Sequence, residues 1–161
     1  MYVKHLQEYL SKFTEGNNGR RGNAVSDAKI YIMSKKEVAL IIGAGDSLGS
    51  AVARVFAQNN FITVVARRNG DQLASLKDEI EKNGGTCFAY SLDARKEEDV
   101  INFINKIEAE IGEINVAVYN IGANIRFNIL ETTSKKYYKV WEMATFGAFL
   151  MGREVTRKMM P

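Results

Sequence analysis

Gly43, Gly45 and Gly49 punctuate the stretch GAGDSLG at 43–49, which follows directly on the apolar run EVALII at 37–42. Glycines in such a turn let the backbone bend sharply and come close to an anion. A helix opening near Ser47 aims its free N–H groups and the positive end of its dipole at the same place. The chemistry this suits is binding of a dinucleotide pyrophosphate by Gly43, Gly45, Asp46, Ser47, Leu48 and Gly49. A tight strand-to-helix turn also uses glycine for its own sake, so the loop alone leaves both readings open. A second group lies about twenty residues on, where a residue that reads the ribose belongs. There the sequence has ARRNGDQL, with Arg67 and Arg68 at the end of an apolar run. Domains that bind NAD commonly place an acid at this point. Paired guanidinium groups suit a 2′-phosphate instead, which favours NADP over NAD. A solvated arginine pair at a helix entry is the bland alternative.

These groups need a scaffold, and the patterning supplies one. EVALII (37–42), FITVVA (61–66), TCFAYSL (86–92) and INVAVYNIG (114–122) read as strands. Between them lie helical stripes: Leu48, Ala51, Val52, Val55 and Phe56; then Leu73, Leu76 and Ile80, stopped by Gly84-Gly85; then Val100, Phe103, Ile104, Ile107 and Ile111, stopped by Gly112. A long helix is expected from about Thr133 to Met160, kinked near Gly147. Strands alternating with helices of this length imply parallel βαβ units with right-handed crossovers. The fold class is therefore α/β, a Rossmann-type doubly wound sheet of about four strands. In such a sheet ligands sit beyond the carboxyl ends of the strands, where the glycine turn lies.

Composition sets the outer bounds. The 161 residues are 46% hydrophobic and 25% charged, the balance of a globular domain. Most of the basic excess is in the first 36 residues, where Lys4, Lys12, Arg20, Arg21, Lys29, Lys35 and Lys36 outnumber Glu8, Glu15 and Asp27. The remainder is close to neutral, which argues against a nucleic-acid partner. No apolar run reaches the ~18–20 residues of a membrane span. Cys87 is the one cysteine and His5 the one histidine, so no metal cluster is expected, and a cytoplasmic setting fits. Residues 1–32, with a possible helix over 2–14 and the Gly/Asn-rich stretch 16–29, read as an extension and linker dispensable for the fold. Residues 33–161 read as the nucleotide-binding domain.

Several segments together resemble the short-chain dehydrogenase/reductase family in order and spacing. GAGDSLG is similar to its glycine motif, with Gly43 and Gly49 at the outer positions and Ser47 where the middle glycine is usual. LDA places Asp93 and Ala94 where the family has an aspartate that contacts adenine. YNIGA resembles its fourth-strand motif, with Asn120 and Gly122 matching and Tyr119 and Ile121 departing. WEMATFGAFLMGREVTRKMMP resembles the long helix that in many members mediates dimerisation. The resemblance covers roughly 37–161 and implies hydride transfer between NADP(H) and a carbonyl or alcohol substrate.

It also implies missing machinery. Ala144 stands where the family has its catalytic asparagine, and the serine and Tyr-x-x-x-Lys pair belong after a fifth strand, beyond Pro161. Tyr31-x-x-x-Lys35 has the spacing but precedes the first strand. No catalytic residue is therefore assigned, and the expectation is the cofactor-binding portion of an oxidoreductase, not catalytically complete as this chain. A non-catalytic NADP-binding module and a subunit-interaction module are the alternatives. With strand order 3-2-1-4 the apolar fourth strand is an edge, and edges of that kind attract partners. Pairing through that strand and the last helix, in a homo-oligomer or with another subunit, is expected.

Overall fold

The computed structural model describes residues 37–122 and 126–160. The extension, its expected helix, His5 and the Tyr31/Lys35 pair lie outside the described residues. The elements run β1 (Val38–Ile42), α1 (Leu48–Gln58), β2 (Ile62–Arg67), a 3-10 turn (Gly70–Leu73), α2 (Ala74–Lys82), β3 (Thr86–Ser91), α3 (Glu97–Glu110) and β4 (Ile114–Tyr119). Then come α4 (Ser134–Trp141), a π-helical turn (Glu142–Phe146) and α5 (Gly147–Met159).

All pairings are parallel and the strand order is β3-β2-β1-β4. β1 is central and every one of its residues is fully buried, which is why it reads as an unbroken apolar run. Strand alternation then divides the core. Val38, Leu40 and Ile42 face a cluster built from Val100, Ile104 and Ile107 of α3 and Leu150 and Val155 of α5. Ala39 and Ile41 face Ala53 of α1, Leu76 and Ile80 of α2, and Leu73. Helices on both faces make this a doubly wound sheet, as expected. Each fully buried leucine or isoleucine contributes roughly 1.5–3 kcal/mol, so both layers hold the strand ends in place.

The face of α1 differs from its apolar stripe. Leu48 is 63% exposed and Val55 56% exposed, whereas Gly49, Ser50 and Ala53 are buried, with Val52 and Phe56 packed at the border. The reason is distance: this helix lies so close to the β1 turn that only small residues fit. A Cβ on Gly49 would collide with the Gly43 carbonyl oxygen and sit 2.7 Å from the Ala44 Cα. The long helix holds Leu150, Met151 and Val155 in the core while Phe149 and Met160 stay exposed. Its irregularity is the π turn immediately before Gly147.

Candidate functional site

Ile42, Ala66 and Tyr119 are register partners, so the carboxyl ends of β1, β2 and β4 lie side by side. The loop after β1 is anchored to both neighbours. The Gly43 and Ala44 amides donate to the Ala66 carbonyl at 2.8 and 3.3 Å. On the other side the Asn120 amide donates to the Ile42 carbonyl at 2.8 Å, and its side-chain Nδ2 donates to the Gly43 carbonyl at 3.1 Å. Gly43 has φ +90°, and a Cβ there would lie 2.7 Å from the Asn120 backbone. Gly43, Gly49 and Asn120 therefore form one packed knot. The geometry gives all three a structural role in shaping the loop.

Gly45 is different. Nothing lies within 4 Å of the position its Cβ would take, so the loop's outer face is open at this residue. The Gly45 amide closes back on the Gly43 carbonyl at 2.8 Å, and the next amide to bond back into the turn is that of Ser50, to the Gly45 carbonyl at 3.0 Å. Among the described residues, the amides of Asp46, Ser47, Leu48 and Gly49 donate to no backbone carbonyl outside the helix, as befits the first turn of α1. Ser47 is the N-cap and its side chain makes no cap bond, which leaves its hydroxyl available. Asp46, Ser47 and Leu48 are exposed. An open glycine above a row of unused donors at a helix N-terminus fits an extended diphosphate.

At the end of β2, Arg67 is half-buried and its Nη1 lies 3.2 Å from Asp46 Oδ1, across the mouth of the loop. Arg68 is exposed beside it. A third guanidinium, Arg54 on α1, is committed elsewhere: it holds Glu79 through two bonds of 2.8 and 2.9 Å and Ser50 Oγ at 3.1 Å.

Beyond β3, Asp93 is gripped by Arg95. Nε donates to Oδ1 at 2.8 Å and Nη2 to Oδ2 at 2.6 Å, and the Arg95 amide adds a 3.3 Å bond to Oδ1. The guanidinium holds the Asp93 carboxyl down at about 2, against the opposing effect of partial burial. Ala94 is buried with its methyl in the core, which leaves only its backbone for a ligand. Gly122 is open on its Cβ side. The loop after β1 and the ends of β2, β3 and β4 thus carry all twelve residues picked out in the sequence.

Sequence reasoning missed the ties to the long helix. Tyr119 Oη donates to the Met143 carbonyl at 2.5 Å, within the π turn. Burial, with Asp93 adding a smaller effect, pushes the Tyr119 hydroxyl up to about 12. Gly147 has no room for a Cβ because the Tyr119 hydroxyl and the Ala94 carbonyl occupy it. Arg95 Nη1 also lies 3.8 Å from Glu142 Oε2. The one signal was Tyr119 in place of a small polar residue. Among the described residues, no group of three or more His, Cys, Asp or Glu side chains could hold a metal, and no helix is long and apolar enough to cross a membrane.

Comparison with known proteins agrees with this architecture. The family model described as short chain dehydrogenase matches residues 37–161. Human 17-beta-hydroxysteroid dehydrogenase 13 is 27% identical over 124 residues, covering 77% of this chain and 41% of the relative. A solved short-chain dehydrogenase from Rhodopseudomonas palustris superposes with a TM-score of 0.74 at 45% identity, covering 78% of this chain and 58% of that one. An alcohol dehydrogenase from Thermococcus sibiricus, complexed with 5-hydroxy-NADP, gives 0.73 at 25% identity, over 78% of this chain and 54% of that one. The chain spans about half the length of the relatives it matches. Because the family model matches residues 37–161, the chain belongs to the short chain dehydrogenase family, a family of nicotinamide-dinucleotide oxidoreductases.

Proposed function

We propose that this chain is the NADP-binding portion of a short-chain oxidoreductase that transfers hydride between NADP(H) and a carbonyl or alcohol. The observation that carries the reading is Arg67, with Arg68 beside it, at the end of β2 and across the mouth of the glycine loop. In this reading the amides of Asp46 to Gly49 and the Ser47 hydroxyl hold the pyrophosphate, with Gly45 letting it approach. Arg67 and Arg68 hold the 2′-phosphate, Asp93 and the Ala94 backbone border the adenine, and Asn120 and Gly122 shape the floor. When bound, the nicotinamide supplies or takes up the hydride.

Among the described residues, the groups at these strand ends support binding and not proton transfer. Ala144 carries no polar group, and the Tyr119 hydroxyl, raised to about 12 and committed to Met143, is a poor acid at neutral pH. The 161-residue chain is therefore expected to bind NADPH without reducing carbonyl substrates. Arg67→Ala tests the reading: NADPH affinity should fall about tenfold or more, the worth of a charge-assisted phosphate contact, with NADH affinity unchanged. Equal losses for both dinucleotides would refute the 2′-phosphate role.

Pairing with a second chain belongs to the same proposal. Among the described residues β4 is bonded to β1 on one side only, and Phe149 and Met160 are exposed on or next to α5. A monodisperse monomer by light scattering would refute it. A cytoplasmic setting, in keeping with the unpaired, buried Cys87 thiol, completes the reading.

A further inference from the structure

Asp93 has a charged partner within its own loop. Arg95, two residues on, meets the carboxylate edge-on through two side-chain bonds of 2.8 and 2.6 Å, and its own amide closes the turn at 3.3 Å. The same guanidinium lies 3.8 Å from Glu142 on the π turn. Both side chains are partly covered, at 28% exposure for Arg95 and 20% for Asp93. A bidentate pair of this kind fixes the plane of the carboxylate as well as its charge. Asp93 cannot rotate without breaking both bonds, and it stays an acceptor with no proton to donate.

The pairing leaves specific capacity unused. Oδ1 accepts two bonds from Arg95, whereas Oδ2 accepts one and keeps a second lone pair. An acceptor-only group held in one orientation discriminates between base edges. It accepts a hydrogen bond from an exocyclic amine and repels an exocyclic carbonyl.

We propose that Arg95 is a positioning residue for base recognition: by clamping Asp93, and by being braced itself on Glu142, it makes the site select a 6-amino purine over a 6-oxo purine. The proposal rests on the reading above that Asp93 borders the adenine of a bound dinucleotide. Arg95 does not touch the base in this account. Its removal frees the Asp93 side chain to turn towards solvent, and the selectivity goes while a folded loop remains.

The test compares NADPH with its nicotinamide hypoxanthine counterpart, in which the 6-amino group is a carbonyl, by fluorescence titration of the full 161-residue chain. The wild type should favour NADPH by about tenfold or more, the worth of a hydrogen bond to a charged acceptor. Arg95→Ala should bring the ratio to about threefold or less, and Asp93→Ala should do the same. In the Asp93→Ala background, Arg95→Ala should change the ratio no further. A structural role alone would weaken both ligands equally and leave the wild-type ratio in place, which would overturn the proposal. A wild-type chain that binds both dinucleotides equally would also overturn it, with the NADP reading intact. Binding of neither would overturn both. If Arg95→Ala loses its folded circular dichroism, Arg95→Lys, which keeps charge without the fork, carries the same comparison. Retention of the full ratio by that variant would count against the clamp.

Discussion

Arg67 Nη1 sits 3.2 Å from Asp46 Oδ1, joining the end of β2 to the glycine loop across 21 residues of sequence. The cation proposed for the 2′-phosphate therefore already has an anion beside it. A phosphate arriving there displaces or shares that carboxylate, and Asp46 repels it. Asp46→Asn should then raise NADPH affinity several-fold, an effect that shrinks as salt is added. Asp46 is almost fully exposed, so stability should change by less than about 0.5 kcal/mol. Titration with NADPH at low and high ionic strength reads the outcome. Weaker binding would show that Asp46 positions Arg67 instead of opposing the ligand.

The glycines of the loop should separate into two kinds. Gly49→Ala drives a methyl into the Gly43 carbonyl and the Ala44 backbone, where nothing flexible can yield. A loss of about 1–3 kcal/mol is expected in urea denaturation, together with loss of NADPH binding. Gly45→Ala meets open space, so stability should stay within about 1 kcal/mol of wild type. Its NADPH affinity should nonetheless fall, because the methyl would stand in the path of the proposed diphosphate. Unchanged binding by a stable Gly45→Ala would remove the loop's open face from the account.

How much of this was legible in the sequence depended on whether one residue or a pair carried the information. The burial of Val38–Ile42 and the faces of α2 and α3 follow from single-residue polarity repeating at the strand or helix period, and the structure agrees with them. Leu48 and Val55 misled because α1 is held by proximity, where Gly49 and Ala53 matter for what they lack. The loop and Arg67 could be found because their positions relative to strand ends are set by chain topology. The Arg67–Asp46, Arg95–Glu142 and Tyr119–Met143 ties could not. Each joins elements whose approach is set only after the sheet has formed.

Tyr119→Phe removes the hydroxyl that donates to the Met143 carbonyl in the π turn and so unties β4 from the long helix. A loss of about 1–3 kcal/mol is expected in chemical denaturation. The same hydroxyl sets an alkaline limit. Its pKa is raised on folding, so its stabilising effect is complete below the ordinary tyrosine value of 10.0 and fades as pH rises from there towards about 12. The variant should lose that part of the alkaline dependence; an unchanged profile would place the effect elsewhere.

Asp93 gives the opposite dependence. Its carboxyl is lowered on folding, so the stabilisation is present above the ordinary value of 3.8 and disappears as pH falls through about 2. Because the pair is partly solvated, the amplitude should be no more than about 1 kcal/mol. Arg95→Ala should flatten this acid limb in denaturation measured between pH 5 and 2. A limb that persists in the variant would show that other carboxylates produce it.

The proposed reading of a dinucleotide 2′-phosphate by Arg67 and Arg68 is open to a direct measurement. Isothermal titration calorimetry of the 161-residue chain with NADPH and with NADH measures it directly. NADPH is expected to bind about tenfold or more tightly than NADH. Equal affinity, or a preference for NADH, would contradict it.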